Sequence, residues 1–287
     1  MIKNYHENSI IINQIELLVK DLSGSLDFYT NSLGFQILKK TNKSISFTTD
    51  QMNELLIITE EDSKIQFVQK SSSLYHFAIL LPTRKALGSF LRHLIKKQIP
   101  ISGASDHLVS ESIYLRDPDG NGIEIACDKD DSFWYDEFKE LQMDTIPFDY
   151  PGVYYEASNL EPFVSLPQET IIGHLHLNVS NLKKQTIFYK NIIGFEITYD
   201  KIKGAVFLGS SAYHHHLALN TWNTFEKKED TNSVDYIKAF TILYPNCDLL
   251  KNTLDALEKA KIEVKETSFG YKTKDFDENE IYLKLKM

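Results

Sequence analysis

Cysteine is nearly missing from this chain. Only Cys127 and Cys247 occur, far apart and without CxxC spacing, which excludes a disulfide framework and a thiolate zinc knuckle. A bound metal would therefore have to sit on histidine and carboxylate. Long hydrophobic runs are missing too: no stretch reaches the roughly 18 apolar residues that span a bilayer. The opening MIKNYHENSI also lacks the basic, apolar, small-residue order of a secretory signal, so a cytoplasmic location and no membrane partner are expected. Positive charge is in deficit, with 31 Lys plus Arg against 40 Asp plus Glu and a net charge of -9. No basic stretch is long enough for the electrostatic footprint that nucleic acid requires, so nucleic acid is not an expected partner. What is present is ordinary globular composition, 42% apolar and 25% charged, over 287 residues, enough for two domains that each bury a core.

The chain repeats itself. Residues 21–35, DLSGSLDFYTNSLGF, and residues 181–195, NLKKQTIFYKNIIGF, share Leu, Phe, Tyr, Asn, Gly and Phe at a constant offset. Each copy follows an apolar strand pattern, INQIELLVKD or IIGHLHLNVSN. Each starts a helix at a polar residue and stops at Gly34 or Gly194. A fainter repeat relates LYHFAILLPTRKALGSFLRHLIKKQIPI from residue 74 to IKAFTILYPNCDLLKNTLDALEKAKIEV from residue 237, each a strand ending at Pro followed by an amphipathic helix. The pattern predicts an α+β protein of four βαβββ modules with mainly antiparallel sheets. Modules one and two fall in 1–130 and modules three and four in 169–287. The polar stretch 131–168 reads as a linker or as an excursion covering a sheet edge.

Nine histidines occur, and His76, His174, His176, His214, His215 and His216 all fall on strand patterns. A lone histidine on an apolar strand is ordinarily a hydrogen-bonded core residue, so the group has to be judged by position. In YHHHLALNTW, alternation along a strand would send His214 and His216 one way and His215 the other unless a bulge intervenes.

Four βαβββ modules resemble the vicinal oxygen chelate superfamily, which includes glyoxalase I, extradiol dioxygenases and bleomycin-resistance proteins. The segments LYHFAILLP, DPDGNGIE, IIGHLHL and YHHHLALN are similar to the bacillary catechol 2,3-dioxygenase family. The resemblance implies two half-barrel cups, each made by two modules, and one divalent metal. Its ligand positions hold His174 in module three against Gln14 in module one, His76 in module two against Ala239 in module four, and Glu124 against Tyr282. Ligands thus survive only in modules two and three, and an open-site ion needs two imidazoles and a carboxylate together. A cup pairing modules two and three is therefore expected. His176 is expected as a neighbour of the metal site or a substrate contact.

HLVSESIYLRDPDGNGIE, from His107 onward, is similar to the extradiol dioxygenase signature, with Ser105 as its departure. The resemblance assigns His107 and Tyr114 to hydrogen bonding of a bound catecholate and Glu124 to the metal. It makes His215 the acid/base residue if the alignment follows Leu-Ala-Leu, and His216 a fourth ligand if it follows glyoxalase. The leading expectation is an extradiol dioxygenase of aromatic catabolism, using Fe(II), or Mn(II) or another divalent ion, on a small aromatic diol with O2; homo-oligomerisation is left open. The alternatives are a glyoxalase I-like isomerase or thiol transferase, and an aromatic-drug-binding resistance protein. Against the isomerase, Asn178 stands where glyoxalase I has a glutathione-binding arginine.

Overall fold

In module one of this computed structural model, β1 (Ile11–Val19) leads into α1 (Leu22–Asp27), then β2 (Gln36–Lys40), β3 (Ser44–Thr48) and β4 (Leu56–Glu60), with the short β5 at Gln66–Phe67. Module two is β6 (Ser73–Leu81), α2 (Arg84–Lys97), β7 (Gly103–Asp106), β8 (Ser110–Arg116) and β9 (Gly122–Asp128). The excursion carries β10 (Ile146–Pro147) and α3 (Tyr150–Glu156). Module three is β11 (Ile171–Asn178), α4 (Leu182–Ile187), β12 (Glu196–Tyr199), β13 (Ala205–Gly209) and β14 (Leu217–Asn220), followed by β15 (Ser233–Val234). Module four is β16 (Ile237–Tyr244), α5 (Cys247–Lys259), β17 (Lys265–Thr267), β18 (Gly270–Lys274) and β19 (Glu280–Leu285). Residues 7–61, 73–222 and 236–286 are described, together with the backbone of 66–67 and 233–234.

Local chemistry explains the helix starts. Asp21, Thr83, Asn181 and Asn246 each cap a helix by accepting from the backbone N–H of Ser23, Ala86, Lys184 and Leu249. The repeated FY segments continue α1 and α4 as π-helical turns, Phe28–Ser32 and Phe188–Ile193, a detail that spacing alone did not predict. Gly34 (φ 87°) and Gly194 (φ 101°) end them in the left-handed region.

Strand order shows how the modules combine. One sheet runs β17-β18-β19-β16-β1-β4-β3-β2 and joins modules one and four; the other runs β10-β7-β8-β9-β6-β11-β14-β13-β12 and joins modules two and three. The central seams β1/β16 and β6/β11 are both antiparallel. The sheets therefore do not follow the division into 1–130 and 169–287; each takes one module from either side of the excursion.

Period-two alternation gives each strand an apolar and a polar face. Leu175 and Leu177 of β11, Phe77 and Ile79 of β6, and Ile123 and Ile125 of β9 enter one continuous core that also receives Ile15, Leu17, Phe240 and Ile242 from the other sheet. The helices are tied to the strand turns by a repeated buried bond. The Tyr29 hydroxyl donates to Asp117 at 2.8 Å, and the Tyr189 hydroxyl donates to Asp275 at 2.7 Å. The excursion covers an edge, since β10 pairs with β7, and α3 lies on α2 where a Cβ at Gly88 would meet the Val153 carbonyl oxygen at 2.2 Å.

Candidate metal centre

His76, Glu124 and His174 converge on the face of the second sheet opposite the core. They come from β6, β9 and β11, three adjacent strands of the sheet order. Parallel pairing sets Ala78 beside Glu124, and antiparallel pairing sets Ala78 beside His174. Bulges between Ile172 and His174 and between His176 and Leu177 flank the β11 histidines. Gly122 permits the β6/β9 approach, for a Cβ there would lie 2.3 Å from the Tyr75 carbonyl oxygen.

The donor atoms face one another. His76 Nε2 lies 3.0 Å and His174 Nε2 3.3 Å from Glu124 Oε2, and the two Nε2 atoms are 3.1 Å apart. All three residues are at most 8% exposed. An octahedral ion with bonds of about 2.1 Å has adjacent ligands about 3.0 Å apart, so this triangle matches one face of such a polyhedron. Two imidazoles and one carboxylate suit Fe(II), Mn(II) or another divalent ion, and leave the opposite face open. Burial alone would raise the Glu124 carboxyl, but His174 and His76 outweigh it and hold the group well below the usual carboxylate range. Burial likewise lowers His174, with Glu124 opposing. Ser112 donates to the outer oxygen, Glu124 Oε1, at 2.6 Å and so fixes the carboxylate's orientation.

A cavity of about 510 Å³ opens above the triad. His107, Tyr114, His176 and His215 line it, with Tyr75, Phe207 and Trp222 as aromatic wall. His107 Nε2 is 2.6 Å from the Tyr114 hydroxyl, and His107 Nδ1 is 3.1 Å from the Asp144 carbonyl oxygen. Burial, with Glu124 adding to it, pushes the Tyr114 phenol well above its ordinary value, so it remains a donor. His176 Nε2 accepts from the Asn220 amide at 2.9 Å, and burial holds its ring well below the ordinary value.

The three consecutive histidines divide unevenly. His215 reaches the cavity, its ring 4.2 Å from that of His174. His214 lies between Tyr213 and Trp134 and hydrogen-bonds Asp128 at 2.9 Å. His216 is fully buried against Tyr213 and Phe195, away from the donor cluster. The structure does not bring His216, the expected fourth ligand, to the three converging donors. The separation of His215 from His214 and His216 matches the expected alternation, although β14 starts only at Leu217, after Ser211 and Ala212 with φ of 53° and 63°.

Sequence reasoning missed several contributors. Ser112 shares a strand face with Tyr114, two residues on, and was recoverable from that spacing. Asp128, Asn220 and the excursion residues Met143, Asp144 and Thr145, which border the cavity, carried no signal of their own.

Residues 11–125 match the model of the Glyoxalase/Bleomycin resistance protein/Dioxygenase superfamily. Together with a relative of nearly the same length, this places the chain in that superfamily. The relative, catechol-2,3-dioxygenase of Bacillus subtilis (strain 168), is 40% identical over 94% of this chain and 95% of its own length. Two solved structures share the fold at 14% identity. A putative dioxygenase from Bacillus subtilis subsp. subtilis str. 168 gives a TM-score of 0.65 over 97% of this chain and 86% of that one. Glyoxalase I from Zea mays gives 0.56 over 97% and 93%.

Proposed function

We propose that this chain is an extradiol-type dioxygenase that opens a catechol ring with O2, using the His76, Glu124 and His174 triad to hold its metal. The observation that carries the reading is the buried triangle of donors with an uncovered face toward a cavity of aromatic size. The 40% identity to a protein named catechol-2,3-dioxygenase supports it. A divalent ion in the triad, Fe(II) or Mn(II), would supply Lewis acidity toward vicinal oxygens and redox chemistry toward O2.

The chain's own residues do the rest. Tyr75, Phe207 and Trp222 offer flat apolar walls that orient an aromatic ring and keep water from it. His215, beside His174, is the group we assign to take a proton from a diol hydroxyl and return it later. Burial holds its imidazole well below the ordinary value, so it enters the reaction neutral. The His107–Tyr114 pair would turn a donor toward a bound substrate oxygen, exchanging the bond between the Tyr114 hydroxyl and His107 Nε2 for one to the oxygen where charge develops.

Anaerobic loading with Fe(II), followed by catechol and air, tests the reading through the yellow ring-opened semialdehyde. Its appearance is the expected result. No product from any catechol, alongside turnover of a hemithioacetal, would overturn the reading in favour of an isomerase.

A further inference from the structure

A buried side-chain relay ends at His215 in the wall of the cavity. Asp128 Oδ1, at the end of β9, lies 2.9 Å from His214 Nε2. His214 Nδ1 in turn lies 2.8 Å from His215 Nδ1. The His214 ring is clasped between Tyr213, with centroids 4.1 Å apart, and Trp134, at 4.8 Å, so it cannot swing out of line. Tyr213 also hydrogen-bonds Asp128.

Donor and acceptor rules then determine where the protons sit. A carboxylate only accepts, so His214 must donate through Nε2. A neutral imidazole carries one N–H, which leaves His214 Nδ1 as an acceptor and makes His215 Nδ1 the donor to it. His215 is left with a bare Nε2 on the ring edge away from His214, and His215 is a wall of the cavity.

We propose that Asp128 and His214 are positioning residues that set the tautomer of His215, so that Nε2 meets the cavity as a proton acceptor. The assignment rests on the proposed function only for the identity of the proton donor, a diol hydroxyl; the tautomers themselves follow from the hydrogen bonds. The Trp134 contact gives the excursion a part in this arrangement, since it holds His214 in place.

The test is a two-bond proton–nitrogen correlation spectrum of the full chain carrying ¹⁵N-histidine, with Zn(II) added as a diamagnetic ion. His214 as the Nε2–H form and His215 as the Nδ1–H form is the expected result. A proton on His215 Nε2 in the unmodified chain overturns the proposal. In Asp128→Asn, whose amide can donate to His214, His215 should shift toward the Nε2–H form. The kcat for catechol should then fall on the order of 10² to 10⁴-fold with KM and metal content unchanged, and Asp128→Glu should recover part of it. Unaltered tautomers in Asp128→Asn would also overturn it. Failure of the unmodified chain to cleave any catechol would defeat the proposed function, while the spectra still decide the relay.

Discussion

The two cups share one pattern of strand pairing and almost nothing of their chemistry. In the cup of modules two and three, His174 pairs with Ala78 and Ala78 with Glu124, while Tyr114 pairs with Glu124 from the other side. In the cup of modules one and four the same positions hold Gln14 paired with Thr241, Thr241 with Tyr282, and Lys272 with Tyr282. Several polar groups of that cup are satisfied by one another. Thr241 donates to Gln14 Oε1 at 3.0 Å, Lys238 to Glu16 at 2.5 Å, and Lys272 lies 2.8 Å from Glu280. Among the described residues, only His76, Glu124 and His174 converge as metal donors. The scaffold is thus common to both cups, and a few positions decide which one is chemical. One cup ties several of its polar groups together in hydrogen bonds and ion pairs; the other leaves three Lewis bases aimed at a point.

The mirror positions offer the strongest way to break this comparison. Glu124→Ala should abolish metal retention and ring cleavage together, because two histidines alone hold a labile divalent ion poorly. Tyr282→Ala, the same position in the other cup, should leave metal content unchanged. Metal analysis of both purified variants decides it, and equal losses would refute the asymmetry.

Next in size, His215→Phe should keep the ion but lower kcat on the order of 10² to 10⁴-fold, as expected for a proton-transfer group. Parallel measurement of iron content and turnover checks this. Ser112→Ala frees Glu124 Oε1 and should weaken metal affinity roughly 10 to 100-fold, read by competition with a chelator. The smallest effects concern what the halves share. Tyr29→Phe and Tyr189→Phe each remove one donor from a buried carboxylate and should each cost about 1 to 2 kcal/mol in denaturant unfolding. A marked inequality between them would show that the two fasteners are not equivalent.

Much of this was legible in the chain. The constant offset between residues 21–35 and 181–195 revealed the duplication, and the scattering of His174, His76 and Glu124 over modules two and three pointed to a cup built across it. Pairing between distant strands leaves little local trace, so that step needed the donor set and not periodicity. Which of the three histidines meets the cavity was not legible, because alternation separates His215 from His214 and His216 without saying which side faces the site, and the segment before Leu217 is irregular. Nor was the excursion's contribution: its polar composition predicts exposure, whereas Trp134 is 2% exposed and packs on His214. A tertiary contact decides that burial, and local propensity carries no record of it.

The central claim is that one cup, and not its twin, holds the metal. Anomalous scattering from crystals of the full chain soaked anaerobically in Fe(II) tests it most directly. The account predicts one strong peak per chain, bounded by His76, Glu124 and His174 at roughly 2.0 to 2.3 Å from each. A peak beside Gln14 and Glu16, or none at the triad, would contradict it.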